Sequence, residues 1–499
     1  LDNLARREQA LYLEPGLWIA MEQREEYERM LAGEAGAEEP GCHIVRRMLY
    51  YRGGQTEDEI RERYFLTKPF TKKLLEELQS RESIVKDGEV YYHSRLYDRA
   101  RNRMVKSLRL QTVTRPPESY ASLMAGRIEL HAPAEEQLKR AMEQCCDKNL
   151  PVRQWESVIF RRRVKNYSET MLDRLLAQGD YFWKMAPDGN LSFHRYDDID
   201  WGAGLPEAAE ELEGDELLLY RELKRRGASF LKFLTGIPKE DSAQEVLLKL
   251  AAKGLVCADS FVPVRQWQNR EKIRKAPVRQ RVNARVMALS AGRWDIVRPV
   301  REKSREELLL RYFTEAVVLC RETFLKASMG DEFTWREALE ILRVWEYTGR
   351  VRRGYFIEGL SGAQFIRKDD YEAVTALLQK SDEELIWLNA SDPAQIWGKI
   401  LKQPKEREFM ILPGTAVALL GGLPAAVLEK QGKTLRVFGD DAQSRLDIIL
   451  SGLVRDFREK KLFADQKRLI VKDYPKYAGD SLKKAGFIHE MQDYVLYWP

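Results

Sequence analysis

Four stretches of this chain share one pattern. They run LLEELQSRESIVKDGEVYYH from Leu74 to His93, MLDRLLAQGDYFWKMAPDGNLSFH from Met171 to His194, VLLKLAAKGLVCADSFVPVR from Val246 to Arg265, and ALEILRVWEYTGRVRRGYFIEG from Ala338 to Gly359. In each, leucines at helical spacing predict an amphipathic helix, a break follows, and two short β-type runs flank a turn. One core rarely serves 499 residues, so the repeats are read as separate packing units within roughly three to five domains. Apolar residues make up 44% of the chain, enough to fill such cores and to exclude wholesale disorder.

The first copy is legible in full. Ile44 to Tyr51 predicts a helix stopped by Gly53-Gly54. Thr56 with Glu59 three residues later is a capping-box pattern that opens a second helix through Phe65. Pro69 closes the turn, Thr71 to Arg81 predicts a third helix, and Ile84-Val85 pairs with Val90-Tyr91-Tyr92 across Asp87-Gly88, a type I′ hairpin signal. Three helices and a hairpin make a winged helix, whose third helix commonly reads a nucleic-acid groove. Lys72 and Lys73 beside Thr71 would then lie near its N-terminus, where the dipole favours phosphate. In the second copy Val152 to Phe160 leads, Ser168 caps the helix of Leu172, Leu175 and Leu176, and the wing turns at Pro187 to Asn190. The third begins near Leu217, and the fourth near Leu308, with Thr334-Trp335-Arg336 opening its last helix.

The last hundred residues differ. Phe409–Leu420 and Ala425–Phe438 are rich in Val, Leu, Ile and Ala and are broken at Pro413-Gly414, Gly421–Pro424 and Gln431–Lys433, which is the punctuation of a meander. Ile448–Lys460 predicts a helix, and Ala464–Val471 and Val495–Trp498 predict strands. The expected fold is mainly α with β-wings: tandem winged helices followed by a β-barrel-like α+β domain. The expected divisions are an opening segment over 1–40, winged helices over 41–130, 131–200 and 201–263, a basic linker over 264–303, a fourth winged helix over 304–385, and the C-terminal domain over 386–499.

The formal charge is only +5. It is a sum of opposites. Val264 to Lys303 holds twelve cationic and three acidic residues, a local charge of +9, whereas Glu207 to Glu216 holds six acids and no base. Arg161, Arg162 and Arg163 with Lys165 form a second basic cluster. Such stretches are either solvated faces or phosphate contacts. As contacts, Lys72, Lys73, Arg161, Arg162, Arg163, Lys165, Arg279, Arg281, Arg285 and Arg336 would give affinity without sequence readout. Trp294, like Trp155 and Trp267, lies near cations and is a candidate for stacking on unpaired bases, or else a core residue.

Several chemistries are disfavoured. Cys42, Cys145, Cys146, Cys257 and Cys320 form no CxxC pair, which reads as a reduced, cytoplasmic protein with buried thiols. Five isolated histidines do not build a metal site, with His43 beside Cys42 the nearest approach. Gly432-Lys433-Thr434 ends like a P-loop, but Val427 stands where its first glycine belongs, so a surface turn between strands is expected. No run approaches the ~20 apolar residues of a membrane span. The first residue is Leu rather than Met, which suggests part of a longer polypeptide.

Several motifs carry a resemblance. Gly292-Arg293-Trp294-Asp295-Ile296-Val297 resembles the GRWSL-type segment of bacterial Lhr-type ("large helicase-related") superfamily 2 DNA repair helicases, and Gly359 to Phe365 resembles their G-x-S-G-x-Q-F segment. Asn389 to Pro393 resembles S-A-x-D-P, Leu412-Pro413-Gly414 the following P-G stretch, and Leu17-Trp18-Ile19-Ala20 the W-V-A segment after the helicase core. The resemblance implies the C-terminal region of such a protein: a bacterial, nucleoid-associated DNA-binding region acting on single-stranded or damaged DNA. A helicase core would lie in cis, with ATP and Mg entering only through that core and no cofactor in this chain. Homo-oligomers are also implied, so an oligomerisation or partner-recruiting scaffold stands as a further alternative. The architecture is also similar to AlkZ-type DNA glycosylases, which use a Gln-apolar-Gln motif. The one such triplet here is Gln266-Trp267-Gln268, so Gln266 and Gln268 are the catalytic candidates for the alternative of a base-removing enzyme. Asp392, Glu358 and Asp493 are acidic candidates without paired spacing, and an aspartate before Pro393 is as readily a turn residue.

Overall fold

The computed structural model describes residues 9–14, 16–33, 36–128, 131–206, 212–289, 291–328, 332–380 and 384–498. It divides into two compact units, Leu1–Thr112 with Val344–Gly349, and Val113–Arg343 with Arg350–Pro499.

In the first unit, β1 (Ala10–Leu13) and β2 (Leu17–Ala20) form a hairpin, and α1 (Arg24–Ala32) follows. The winged helix comprises α2 (Glu38–Arg52), β3 (Gln55–Thr56), α3 (Glu57–Tyr64), α4 (Lys68–Ser80), β4 (Ile84–Asp87) and β5 (Val90–His93), with sheet order β3-β5-β4. The capping box forms as its spacing predicts: the Glu59 backbone N–H donates to Thr56 Oγ1 at 3.2 Å and the Thr56 N–H to Glu59 Oε2 at 2.7 Å. Helix α4 begins earlier than expected, because Pro69 sits within its first turn, where a missing N–H costs nothing. Thr71 is therefore inside the helix, buried, with its hydroxyl donating to the Thr67 carbonyl at 3.0 Å. The hairpin pairs Asp87 with Val90, so Gly88-Glu89 is the turn. Only Gly88 has positive φ, which is the II′ rather than the expected I′ pattern. Helix α5 (Ser94–Leu110) leaves the wing, and its Arg109 pairs with Glu346 at 2.6 Å.

The second unit holds the other repeats. After α6 (Pro117–Gly126) comes α7 (Ala134–Cys145), which the sequence reading did not assign. A helical stretch over Val152–Gln154 then widens into a π-helix over Trp155–Phe160 and closes at Arg161–Arg163. Strand β6 (Leu150–Pro151), helix α8 (Glu169–Ala177) and strands β7 (Tyr181–Met185) and β8 (Asn190–Arg195) complete this winged helix, with sheet order β6-β8-β7. The same core continues into α9 (Gly214–Arg226), β9 (Ser229–Phe230), α10 (Ala243–Ala252) and β10 (Val256–Ala258). Of the acidic run, Glu207, Glu210 and Glu211 lie outside the described residues. Asp215 accepts the backbone N–H groups of Lys239, Glu240 and Asp241 at 2.8–3.0 Å.

The stretch expected as a basic linker is not one. It forms α11 (Val262–Gln268), α12 (Arg270–Lys275) and α13 (Val278–Leu289), then β11 (Arg293–Ile296), which lies between β10 and β9 in the sheet. The run Val262–Arg265, read as the second wing strand, is the start of α11, and the true second strand carries the Gly292-Arg293-Trp294 motif. The chain is thus diverted between two wing strands, and the module closes only at Ile296.

The fourth repeat gives α14 (Arg305–Ala316), α15 (Arg321–Ala327), α16 (Trp335–Tyr347), β12 (Val351–Gly354) and β13 (Gln364–Arg367). Thr334 and Glu337 cap α16 reciprocally at 2.9 and 3.4 Å. Gln364, from the resembling segment, is buried and accepts the Phe356 and Ile357 N–H groups at 2.8 Å. After α17 (Tyr371–Gln379), strands β14 (Leu385–Asn389), β15 (Ala416–Leu420), β16 (Leu423–Glu429) and β17 (Thr434–Val437) form the expected meander. Helix α18 (Ala442–Arg458) packs on it, and β18 (Arg468–Val471), β19 (Ile488–Glu490) and β20 (Asp493–Tyr497) make a second sheet, order β18-β20-β19. The barrel-like expectation is corrected here: the described strands form two open sheets and no closed barrel. Gly432-Lys433 lies in the turn between β16 and β17. Among the described residues no helix is long and apolar enough to cross a membrane, and no group of three or more His, Cys, Asp or Glu side chains is placed to hold a metal ion.

Candidate nucleic-acid site

A cavity of about 470 Å³ opens within the second unit, in the size range of small-ligand sites. Its wall comes from the ends of α6 and α7, from α14 and α15, and from the loop after β14. Six cationic side chains line it, Arg127, Lys148, Arg163, Arg311, Lys326 and Lys399, against two carboxylates, Asp147 and Glu315.

The loop after β14 is built by its polar residues. Asn389 Oδ1 accepts the Ser391 N–H at 2.9 Å, and Asp392 Oδ1 accepts the Ala394 N–H at 2.8 Å, an Asx turn ahead of Pro393. Gln395 Nε2 donates to the carbonyls of Ala390 and Trp397, and Trp397 Nε1 to that of Gly422 at 2.8 Å. Asp392 also accepts from both terminal guanidinium nitrogens of Arg163 at 2.7 Å, deep in the protein. Burial alone would raise the Asp392 carboxyl, but the Arg163 charge and its hydrogen bonds hold it below the usual value. Asp392 is therefore a turn residue and an ion-pair partner at once.

The acids of the wall are similarly engaged. Lys148 pairs with Glu315 at 2.6 Å, and Arg127 donates to the carbonyls of Glu315 and Thr314 at 3.0 and 2.7 Å. Asp147 is contacted by His194 at 2.8 Å, Lys303 at 2.6 Å and Arg311 at 3.4 Å. Burial opposes its ionisation, and His194 and Lys303 override burial and hold its carboxyl well below the usual range. The Cys146 thiol is pushed up to about 12, first by burial and then by Asp147, and burial raises Cys145 as well, so neither thiol presents a thiolate. Lys399 Nζ donates to the backbone carbonyl of Asp392 at 2.7 Å.

Of the residues singled out from sequence, the cavity takes in only Arg163. Arg162 and Arg163 were expected on a phosphate-binding surface, but they are 3% and 7% exposed, and Arg162 Nε donates to the Trp387 carbonyl at 3.0 Å. Both are turned inward because the segment is helical, which sends the second and third arginines to the core side. Arg161 is half-buried over the Tyr167 ring, and Lys165 is exposed. Trp294, expected to stack on bases, is 1% exposed and packs edge-on against Trp183 with ring centroids 6.4 Å apart. Trp155 is fully buried, and Trp267 is half-buried under the Arg270 guanidinium at 4.6 Å.

Gln266 and Gln268 lie on α11 and do not line the cavity. Gln266 accepts from Gln244 and donates to the Ala284 carbonyl at 2.8 Å, fastening α13 to α11. Lys72 and Lys73 are exposed on α4, facing Glu76 at 3.7 Å and Glu38 at 2.6 Å. Arg279, Arg281 and Arg285 are exposed along α13, and Arg336 is exposed in the first turn of α16. Sequence reasoning missed Arg127, Lys148, Arg311, Lys326 and Lys399, each outside the basic runs that the sequence displays.

Comparison with known proteins agrees with the motifs. Residues 116–195 and 300–386 each match a winged-helix domain of the large helicase-related protein. The chain is 28% identical over 399 residues to the Lhr helicase/probable uracil glycosylase of Mycolicibacterium smegmatis and 26% identical over 420 residues to the Lhr helicase/uracil glycosylase of Escherichia coli. These alignments cover 72% and 74% of the chain but 26% of each relative, so the chain spans about a quarter of their length. The resemblance first read from short motifs is thus one of Lhr type, and two stretches of the chain match winged-helix domains of the large helicase-related protein.

Proposed function

We propose that this chain is the DNA-binding C-terminal region of an Lhr-type DNA repair helicase and that it engages single-stranded or damaged DNA, with a helicase core acting in cis. The observation that carries the reading is the cavity, where six basic side chains meet three carboxylates, with Asp392 counted against Arg163, around a space in the size range of small-ligand sites. A polyanion answers that imbalance, and backbone phosphates supply it at every step. The insertion in the third module supports the same reading, since Arg279, Arg281 and Arg285 project from α13 into solvent. Lys72, Lys73, Lys165 and Arg336 would add contacts from the other modules.

A titration of single-stranded DNA binding against salt tests the proposal. Phosphate contacts make log K fall linearly with log salt, by about 0.7 per phosphate on a single strand. Replacing Arg279, Arg281 and Arg285 together with Ala should flatten that slope by about 2 and leave the melting temperature unchanged. An unchanged slope removes the α13 contact, and salt-independent binding by the parent chain removes the reading itself.

A second reading is base removal, because the relatives' names include uracil glycosylase and the cavity is large enough for a flipped base. Release of uracil from a single-stranded oligonucleotide by this chain alone tests it, and no release at high protein concentration refutes it. Gln266 and Gln268 stay outside this cavity, and Gln266 already bonds Gln244 and the Ala284 carbonyl.

A further inference from the structure

Among the cations of the cavity, Lys399 is chemically distinct. The loop turns at Gly398, whose φ is +75, and this brings the lysine back against the wall. The Asp392 carboxylate that would be its natural counter-ion is already held on both oxygens by Arg163, so among the described residues the Lys399 amine bonds the Asp392 backbone carbonyl, 2.7 Å away. Lys148, by contrast, has Glu315, and Arg127, Arg163 and Arg311 are guanidinium groups that stay charged. Burial lowers the Lys399 ammonium to about 7; Asp392 opposes that fall, and the Lys326 and Lys148 charges add to it. A large fraction of the amine is therefore unprotonated near neutral pH, the state in which a lysine is a nucleophile.

We propose that Lys399 forms a covalent imine with the C1′ aldehyde of an abasic deoxyribose held in this cavity. The inference rests on the DNA-binding reading above and adds a reaction to it. The Nζ lone pair forms the N–C1′ bond while the C=O π pair moves to oxygen. Both amine protons pass to that oxygen, which leaves as water and yields C1′=N. No oxidant or further reactant enters. Lys326, exposed on α15 at the rim, and Arg311 are placed to hold the flanking phosphates, and the two raised thiols leave the amine without a competing sulfur nucleophile.

The test uses the full chain with a single-stranded oligonucleotide carrying one preformed abasic site, so that base removal is not required. Sodium borohydride reduces an imine to a stable amine link, read as a shifted band and mapped by peptide mass spectrometry. Binding of the same oligonucleotide is followed by fluorescence anisotropy. The expected result is a crosslink on the peptide containing Lys399, lost in Lys399→Arg and Lys399→Ala. The arginine variant keeps the charge and is checked by its melting curve. Mapping of the parent adduct does not depend on how either variant folds. An adduct on another lysine, or bound DNA with no adduct, overturns the imine and leaves the binding proposal standing. Loss of both binding and adduct in the parent chain overturns both.

Discussion

The buried pair between Arg163 and Asp392 joins the second winged helix to the loop that shapes the cavity, and Asp392→Asn isolates its contribution. The substitution keeps the size of the side chain and an oxygen for the Ala394 N–H, so the turn survives. It removes the charge that offsets Arg163, which forms two bonds of 2.7 Å to a carboxylate with no solvent exposure. Breaking such a pair from one side costs about 3–5 kcal/mol, because an uncompensated guanidinium stays buried. Replacing both partners, as Arg163→Met with Asp392→Leu, should recover about 1–4 kcal/mol of that loss. Urea unfolding of the full chain, followed by intrinsic Trp fluorescence, reads both values. The carboxyl is depressed from its ordinary 3.8 in the fold, so its stabilisation is complete above that value and is lost as pH falls through the lower folded value. A loss under about 1 kcal/mol for Asp392→Asn, or a double variant weaker than the single one, would falsify the assignment of this pair as the buried tie of the cavity wall.

Other outcomes follow from the same geometry. Trp294→Ala should cost about 3–5 kcal/mol in urea unfolding, since the ring is buried against Trp183, and a loss confined to DNA affinity would contradict that placement. Gly422→Ala puts a Cβ 2.0 Å from the Glu118 carbonyl at a φ of +85, and should destabilise by more than about 1 kcal/mol in the same assay. Thr56→Ala removes one side of a formed capping box and should cost about 1 kcal/mol. Borohydride trapping on Lys399 should rise as pH passes upward through about 7, the region set by burial, Asp392, Lys326 and Lys148. A flat profile from pH ~6 to ~8 would argue against attack by this amine.

How much was legible in the sequence differs by module, for physical reasons. The first winged helix is announced by local chemistry: Thr56 and Glu59 form their box, and Gly88 opens the hairpin turn one residue later than the expected pair. The basic stretch after Val264 was misread because α12 and α13 are mostly exposed, so no apolar stripe marks them as helices. The arginine triplet looks like a charged surface in one dimension, yet the helical turn carries Arg162 and Arg163 inward to partners more than 200 residues away. The cavity is the least legible feature. It is assembled from the ends of separate helices and a loop, and no single segment contributes a recognisable spacing. Of its lining cations only Arg163 lay in a run that could be singled out, and that run read as a surface cluster.

The position of β11 bears on how the third module comes into being. In its sheet the central strand is the last in sequence, and it pairs with β10 only after the chain has travelled from Asp259 to Gly292. The corresponding hairpin of the second module closes across the few residues between Met185 and Asn190. A roughly eightfold longer excursion adds about 2 kcal/mol to the entropy of closing that pair if it is flexible. Helices α11 to α13 recover part of this by shortening the effective loop, with Gln266 bridging α11 and α13. The third module should therefore be the late-folding element of the core it shares with the second. During synthesis, its β9 and β10 edges stay unpaired until Trp294 has emerged, with the wing of the second module already able to close.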